Sequence, residues 1–176
     1  MKNLIYLILL SLTLISCSHQ ARHPHQVEKA KDISTLKGLK RYGPITFAPQ
    51  PDKASIQALR SQGYAIVINL RHPSEFKKFN EKQVVEANKM AYYNIPLFDK
   101  QKNFSTSAIQ EVHKVIQENH NKKIFLHCSS GNRAAAWLGA HLHLDHGLSI
   151  DKSIEVAKEV GMTKPKLETK LRSFLK

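Results

Sequence analysis

The stretch "KIFLHCSSGNRAAAW", residues 123–137, contains the end of a predicted β-strand, a loop of small residues and the start of a predicted helix. The residues before Cys128 form a short, continuous apolar run, which is typical of a strand buried on both faces. Small and turn-forming residues separate Cys128 from Arg133, and the alanines after Arg133 favour a helix. The stretch therefore predicts a strand–loop–helix unit with a cysteine immediately after the strand.

Strand-like and helix-like segments alternate along the rest of the chain. The other predicted strands are "PITFAPQP", "AIVINL" and "YYNIP", and the predicted helices are "DKASIQALRSQGY", "EKQVVEANKM", "TSAIQEVHKVIQENH", "AAAWLGAHLHLDH", "SIDKSIEVAKEVG" and "PKLETKLRSFL". This alternation predicts the α/β class, with a central, mainly parallel sheet flanked by helices. Ligands bind outside the carboxyl ends of the strands in such sheets, and Cys128 lies at such an end.

The N-terminal stretch "MKNLIYLILLSLTLISC", residues 1–17, has a lysine, a long apolar run and a small residue at its end, as a secretory signal does. Its last four residues resemble the bacterial lipobox, whose cysteine becomes lipidated. We predict a lipoprotein signal peptide over residues 1–16 and lipidation of Cys17. Because Ser18 follows, an outer-membrane location in a Gram-negative cell envelope is favoured. An uncleaved anchor is the alternative, but the apolar run is shorter than the about 20 residues of a helical span.

Residues 17–40 are mostly polar and show no apolar period, which indicates a flexible tether. Residues 41–176 are long enough to form one domain with its own core. The sequence therefore predicts a lipid-anchored protein with a single domain held away from the membrane.

The two cysteines of the chain have different expected fates. If Cys17 carries lipid, Cys128 is the remaining thiol, in a compartment that oxidises thiols and without a partner in the chain for a disulfide. Its neighbours are serines, glycine, asparagine and arginine, which do not form an apolar pocket. This pattern favours a reactive thiol over a buried structural one.

The charge of the chain favours anionic partners. Twenty-seven lysines and arginines against 14 acidic residues give a formal net charge of +13. The basic residues are scattered and few aromatic residues lie among them, which argues against a nucleic-acid groove. The predicted partners are a phosphorylated small molecule or a phosphoprotein, together with the membrane through the lipid anchor.

The loop after Cys128 has the features of a phosphate site. Its small residues let backbone N–H groups turn inward, and the N-terminus of the following helix adds partial positive charge. The guanidinium of Arg133 matches two phosphate oxygens, and the same positive field favours a thiolate at Cys128. The residues predicted to bind phosphate are Ser129, Ser130, Gly131, Asn132 and Arg133.

The motif His-Cys-x-x-Gly-x-Arg at residues 127–133 resembles the signature of the cysteine-dependent phosphatases of the tyrosine and dual-specificity superfamily. Four segments between residues 44 and 162 are similar to the bacterial phosphatase-like domain associated with beta-lactamase-hydrolase-like proteins. They are "FAPQPDKASIQALRSQGYAIVINLR", "YYNIPLFD", "HCSSGNRAAAWLGA" and "GLSIDKSIEVAKEVGM". The resemblance implies a dual-specificity-phosphatase-like fold and a cysteinyl-phosphate intermediate on Cys128. His127 is implied as a supporting residue, and neither cofactor nor metal is implied.

The resemblance also implies a general acid on a loop before the signature strand. Asp99 in "IPLFDKQK" occupies that place. A carboxylic acid there would protonate the leaving oxygen, and its conjugate base would then activate water. Asp52, Glu75 and Asp145 are weaker alternatives.

Two departures from the superfamily pattern keep other functions open. Four residues separate Cys128 from Arg133, where the usual signature has five, and Ala134 replaces a serine or threonine that helps the sulfur to leave. Ser130 is a candidate substitute for that hydroxyl. The alternatives are a rhodanese-like sulfurtransferase, which would not need Asp99, and a non-catalytic module that binds a phosphorylated ligand.

Several further residues are candidates for the rim of the site or for metal binding. Arg71, His72, Lys100 and Lys102 are predicted rim residues. His141, His143 and His146 are not predicted to bind metal, because His141 and His143 fall on different faces of a helix. An inositol polyphosphate and a phosphotyrosine or phosphoprotein are the candidate substrates.

Overall fold

The computed structural model describes residues 25–77 and 79–176 of the chain. The predicted signal peptide of residues 1–16, the lipidation site Cys17 and the start of the predicted tether lie outside the described residues. Within those two ranges, no helix is long and apolar enough to cross a bilayer.

Six strands form one sheet with the order β1-β2-β3-β6-β4-β5. The strands are β1 (Val27–Lys29), β2 (Lys40–Tyr42), β3 (Ile45–Ala48), β4 (Tyr64–Asn69), β5 (Ala91–Asn94) and β6 (Lys123–His127). Neighbours among β3, β6, β4 and β5 are parallel, whereas β1 and β2 extend one edge in antiparallel pairing. The α/β class with a mainly parallel central sheet is therefore confirmed.

Six helices cover the two faces of this sheet. They are α1 (Lys53–Ser61), α2 (Glu81–Ala87), α3 (Thr106–Glu118), α4 (Asn132–Leu144), α5 (Ile150–Glu159) and α6 (Pro165–Phe174). Helices α1 and α2 pack in one apolar cluster, and α3 to α6 pack in the other. Side chains alternate along β6, so Phe125 joins the first cluster while Leu126 belongs to the second together with Cys128. The cysteine therefore lies on the side of the sheet that carries α4.

Helix α4 is held rigidly because it is buried almost all round. Ten of its 13 residues are buried, including Trp137, which is fully covered. At Gly139, an added Cβ would lie only 3.1 Å from Ala157 on α5 and 3.1 Å from Leu171 on α6, so the glycine allows close approach of both helices. This packing fixes the N-terminus of α4, which faces the loop after Cys128.

The structure corrects the predicted tether of residues 17–40, because residues 27–39 belong to the fold. Strand β1 pairs with β2, and Ile33 and Leu36 exchange two backbone hydrogen bonds of 3.0 and 2.9 Å in a turn between them. The side chains of Ile33 and Leu39 are buried, with exposed fractions of 0% and 4%. The segment packs through a turn, so its apolar residues follow neither the helical nor the strand period that sequence inspection detects.

Replacing Ile33 by alanine should lower the free energy of unfolding by about 2–4 kcal/mol, because it leaves a cavity in a closed core. Urea denaturation monitored by circular dichroism measures this change. The control is Lys31→Ala at an exposed position, which should alter stability by less than about 0.5 kcal/mol. A loss at Ile33 no larger than the control would show that this segment does not pack on the domain in solution.

Candidate active site

The loop after β6 is fastened to the end of the neighbouring strand β3. The amide of Cys128 points to the carbonyl of Ala48 at 3.4 Å, and the amide of Gln50 donates to the carbonyl of Ser129 at 3.2 Å. Both contacts lie at the carboxyl edge of the parallel strands. The structure thus places Cys128 at the sheet edge where the sequence predicts a ligand site.

Gly131 makes the turn from the loop into α4. Its φ of 85° is in the left-handed region, where a residue with a Cβ is sterically strained and glycine is not. The turn leaves the backbone N–H groups of Ser129, Ser130, Asn132 and Arg133 without an acceptor among the residues that the structure describes. A run of free N–H groups at a helix N-terminus is the arrangement that binds phosphate.

Asn132 contributes to this arrangement through its backbone only. Its side-chain oxygen accepts hydrogen bonds from the amides of Thr163 at 2.8 Å and Lys164 at 3.0 Å. The side chain therefore fixes the connection between α5 and α6 to the start of α4. Only the backbone N–H group of Asn132 is therefore available for the phosphate contact predicted at this position.

Arg133 forms a bidentate ion pair with Glu75, which lies in the 3₁₀ turn Pro73–Glu75 after β4. Both terminal nitrogens donate to the Glu75 carboxylate at 2.7 Å. A guanidinium has five N–H donors and this ion pair uses two of them, so further donors remain for a phosphate. Glu75 thereby orients the arginine without using all of its donors.

The charges in this pair support each other. The hydrogen bond from Arg133 outweighs burial and lowers the pKa of Glu75. Burial lowers the pKa of Arg133, but the hydrogen bonds that it donates to Glu75 and the negative charge of a Cys128 thiolate outweigh it, so that the pKa is raised. Both groups are therefore charged at neutral pH. Glu75 is thus poorly suited to act as the general acid, which was one of the weaker sequence-based alternatives.

His127 and Glu81 form a buried pair behind the loop. Nε2 of His127 lies 2.6 Å from one carboxylate oxygen of Glu81, while the other oxygen accepts from Gln50 at 2.7 Å. Burial raises the pKa of Glu81, but the hydrogen bond and charge of His127 outweigh it and lower the pKa overall. His127 is fully covered, and its Nδ1 lies 3.3 Å from the carbonyl of Cys128. The pair braces the backbone at the cysteine, and the supporting role of His127 in the reaction stays a prediction.

A cleft of about 430 Å³ opens beside Arg133. It is lined by Leu70, His72, Ser74, Glu75, Pro96, Phe98, Asp99, Lys100, Lys102 and Arg133. The structure therefore brings the predicted acid Asp99 and three predicted rim residues to the same space. Cys128 is only 1% exposed and is not among the residues that line this cleft; it lies at the start of the loop that leads to Arg133.

The loop that carries Asp99 is held by its own backbone. One carboxylate oxygen of Asp99 accepts from the amide of Asn103 at 2.7 Å, and the Asp99 carbonyl accepts from the amide of Lys102 at 3.0 Å. The second carboxylate oxygen, Oδ2, has no hydrogen-bond donor within residues 25–77 and 79–176. The other weaker alternatives lie elsewhere, since Asp52 caps α1 and Asp145 contacts His141.

Arg71 does not line this cleft, contrary to the rim prediction. Its guanidinium donates to the side chain of Gln50 and to the carbonyl of Glu75, and it lies 5.2 Å from the ring centre of Phe76. These contacts turn the side chain inward beneath the 3₁₀ turn. Arg71 therefore supports the segment that carries Glu75.

The family model described as "DSP-PTPase phosphatase fused to NAD+ Kinase" matches residues 40–173. The chain belongs to this phosphatase family. The match confirms the predicted relationship to the cysteine-dependent phosphatase superfamily. The comparison with curated protein sequences gives no match.

Solved phosphatase structures share the fold of this phosphatase-family chain. A cysteine-to-serine form of TpbA from P. aeruginosa, in complex with pTyr, has a TM-score of 0.64 at 14% identity, covering 88% of this chain and 91% of its own. Kinase associated phosphatase has a TM-score of 0.65 at 13% identity, covering 86% and 94%. A DUF442 protein from Shewanella putrefaciens CN-32 has a TM-score of 0.60 at 19% identity, covering 80% and 93%. At these identities the likeness establishes the fold.

The position after the arginine differs from the superfamily pattern in the structure as well as in the sequence. Ala134 is completely buried in the first turn of α4 and carries no hydroxyl. Ser129 and Ser130 are exposed in the loop. The hydroxyls that follow Cys128 in the sequence are therefore those of the two loop serines.

Proposed function

We propose that the protein hydrolyses phosphomonoesters through a cysteinyl-phosphate intermediate on Cys128. The observation that carries this proposal is a cleft lined by Arg133 and Asp99, together with the free N–H groups of the loop that runs from the buried Cys128 to Arg133 in the first turn of α4. These groups supply a nucleophile, an anion cradle and a proton donor.

In the first step, the free edge of the Arg133 guanidinium and the loop N–H groups hold the three terminal phosphate oxygens. The Cys128 thiolate attacks phosphorus, and the bond between phosphorus and the leaving oxygen breaks as the S–P bond forms. Asp99 gives its proton to that oxygen, so the alcohol or phenol leaves neutral. The donors of the cradle stabilise the charge that develops on the transferred phosphoryl group.

In the second step, the Asp99 carboxylate accepts a proton from a water molecule, and this water attacks phosphorus. The S–P bond breaks, inorganic phosphate leaves and the thiolate returns. Positive charge on Arg133 and the helix N-terminus favour the thiolate as leaving group. The hydroxyl of Ser130 is the proposed substitute for the one that Ala134 lacks.

The lining of the cleft supports two classes of substrate. Lys100, Lys102 and His72 are among the residues that line the cleft, and their positive or polar side chains suit the additional phosphates of an inositol polyphosphate. Phe98 and Pro96 offer an apolar wall that suits the ring of phosphotyrosine, the ligand bound to TpbA. We infer that the protein acts on one of these two classes.

The test is phosphate release from para-nitrophenyl phosphate, a phosphotyrosine peptide and inositol hexakisphosphate, with Lys100→Ala/Lys102→Ala beside the wild type. If the lysines bind further phosphates, the double variant should lose about tenfold or more of its kcat/KM on the inositol substrate and little on the nitrophenyl ester. Equal losses on both substrates would contradict a role in substrate choice. Phosphate binding without release from any substrate would favour the non-catalytic module.

Replacing Glu75 by glutamine should lower kcat/KM for para-nitrophenyl phosphate by about 10- to 100-fold, because an amide cannot hold the Arg133 guanidinium in a charged fork. The matched control is Glu86→Gln, which changes an exposed glutamate paired with Lys82 at 3.9 Å on α2. Steady-state kinetics measure both variants. An increase in kcat/KM for Glu75→Gln would show that Glu75 blocks Arg133 instead of orienting it.

We also propose that the protein is lipid-anchored in the cell envelope through Cys17. The support is the sequence of residues 1–17 alone. In cells that express the full chain, labelled fatty acid should be incorporated into the wild type and not into Cys17→Ser. Labelling that survives this change would contradict the proposed anchor.

A further inference from the structure

Three metal-binding side chains converge between α3 and the end of α4, at residues that do not line the catalytic cleft. His113 lies on α3, His141 lies on α4, and Asp145 follows one turn later at the end of α4. Nδ1 of His113 and Nδ1 of His141 are 3.1 Å apart, and Oδ2 of Asp145 lies 2.7 Å from His141 and 3.6 Å from His113. Three ligand atoms from two helices thus form a compact triangle.

The size of this triangle fits a coordinated metal ion. Bonds of about 2.1 Å place neighbouring ligand atoms about 3.4 Å apart in a tetrahedral site and about 3.0 Å apart in an octahedral one. The observed separations of 2.7, 3.1 and 3.6 Å span these values. An ion near the triangle can therefore bind all three atoms after shifts of a few tenths of an ångström.

The three side chains cannot all form good hydrogen bonds with one another. An imidazole nitrogen carries at most one hydrogen, so Nδ1 of His141 cannot donate fully to both Asp145 and His113. If that hydrogen points to Asp145, the Nδ1 atoms of the two histidines face each other without a good bond between them. A divalent cation accepts all three lone pairs at once.

The surroundings hold His141 in place for such a role. Its ring is stacked on Trp137, with centroids 4.9 Å apart and planes 8° from parallel. The indole N–H of Trp137 donates to the carbonyl of Ile109 on α3 at 3.2 Å, so the same side chain links the two helices. Nε2 of His141 lies 3.1 Å from Nε2 of His146. Such contacts to the second ring nitrogen orient ligating histidines.

We propose that His113, His141 and Asp145 form a binding site for a first-row divalent transition metal ion, with Zn²⁺ as the ion that these donors suit. Two imidazoles and one carboxylate are typical zinc ligands. The side chains of His113 and Asp145 are 29% and 27% exposed, which leaves space for water at a further position. The ion would tie α3 to α4, the helix whose N-terminus forms the phosphate cradle.

The histidines that are close together in the sequence are not the ones that form this cluster. His141, His143 and His146 are close in the sequence, but Nδ1 of His143 contacts the carbonyl of Leu148 at 2.7 Å and faces away from His141. The partner of His141 is His113, which lies 28 residues earlier on another helix. Only the packing of α3 on α4 brings them together.

The test measures Zn²⁺ affinity by competition with a chromophoric chelator, using the full chain with Cys128→Ser so that this thiolate does not bind the ion. His113→Gln and Asp145→Asn are added separately to this parent, because both sites are partly exposed and tolerate the change. His120→Gln, at an exposed histidine after α3, is the matched control. Every chain keeps the other candidate zinc ligands Cys17, His19, His23 and His25. A difference in Zn²⁺ affinity between the chains therefore comes from the substituted residue.

We expect the parent and the His120→Gln chain to bind one Zn²⁺ with equal affinity. His113→Gln and Asp145→Asn should each weaken that binding about 100-fold or more, since each removes a ligand. Zn²⁺ should also raise the thermal midpoint of the parent and not that of the two cluster variants. Equal affinity in all four chains, or no bound zinc in the parent, would overturn the proposal. Because activity is not the readout, neither result depends on the proposed phosphatase function.

Discussion

Cys128→Ser should abolish phosphate release, with a loss of kcat on the order of 10⁵-fold, while phosphate binding remains. A serine hydroxyl is far less nucleophilic than a thiolate at neutral pH, and the cradle does not offer it a general base. The substitution keeps the size of the buried side chain and leaves Arg133 and the free N–H groups of the loop unchanged. Phosphate release from para-nitrophenyl phosphate measures the loss.

Inorganic phosphate or vanadate binding, measured by calorimetry, provides the control for an intact cradle. Its affinity in Cys128→Ser should stay within about tenfold of the wild type, because the backbone donors and Arg133 supply most of the binding. A variant that retains turnover would exclude Cys128 as the nucleophile. A wild type that binds phosphate and never releases it from an ester would favour the non-catalytic module.

Asp99→Asn should lower kcat/KM by about 100- to 1,000-fold on a substrate with an alkyl leaving group, because general acid catalysis of phosphoryl transfer contributes about that much. The loss in kcat/KM should be much smaller on para-nitrophenyl phosphate, whose phenolate leaves readily without a proton, whereas kcat should fall on both substrates because hydrolysis of the shared intermediate also uses Asp99. The comparison of the two substrates separates a lost acid from a distorted site, which would slow both equally. Steady-state kinetics with both esters make this measurement.

The matched control for Asp99 is Asp52→Asn, because Asp52 caps α1 by accepting from the Ser55 amide at 2.7 Å and does not line the cleft. It should reduce stability slightly and leave kcat unchanged. A sulfurtransferase would show another pattern, since transfer of sulfur from thiosulfate to cyanide does not require Asp99. Sulfurtransferase activity that is unaffected by Asp99→Asn and absent in Cys128→Ser would replace the phosphatase account.

The strand–loop–helix unit was predictable because its signals are local. The apolar run over β6, the small residues of the loop and the alanines of α4 each report a backbone preference within a few positions. The structure places β6 at Lys123–His127 and the start of α4 at Asn132, on either side of Cys128. The resemblance in the motif at residues 127–133 supplied the superfamily, which the family comparison confirms.

The groups that brace the site were not predictable, because their partners are distant in the sequence. Glu75 lies 58 residues before Arg133, and Glu81 lies 46 residues before His127. Each appears in the sequence as an ordinary charged residue at the start of a helical turn. Only the parallel sheet, which brings the ends of β4 and β6 to the same edge, shows that both have charged or buried partners. The inward turn of Arg71 was missed for the same reason.

The N-terminal boundary was missed for a different physical reason. Ile33, Leu36 and Leu39 are separated by charged and polar residues, and their burial depends on a turn that no period describes. Such a segment has the composition of a linker and the packing of a domain. The roles assigned to Cys128 and Asp99, by contrast, stay predictions until kinetics are measured.

The most direct test of the central claim is detection of the phosphoryl group on Cys128. The Asp99→Asn chain is mixed with para-nitrophenyl phosphate, quenched in acid within the first turnover and analysed by mass spectrometry. We expect a mass gain of one phosphoryl group that maps to Cys128, because the nitrophenolate leaves without the acid while hydrolysis of the intermediate is slowed. The Cys128→Ser chain, treated in parallel, should show no gain. Turnover of the ester by the wild type without any phosphoryl group on Cys128 in the trapped variant would contradict the account.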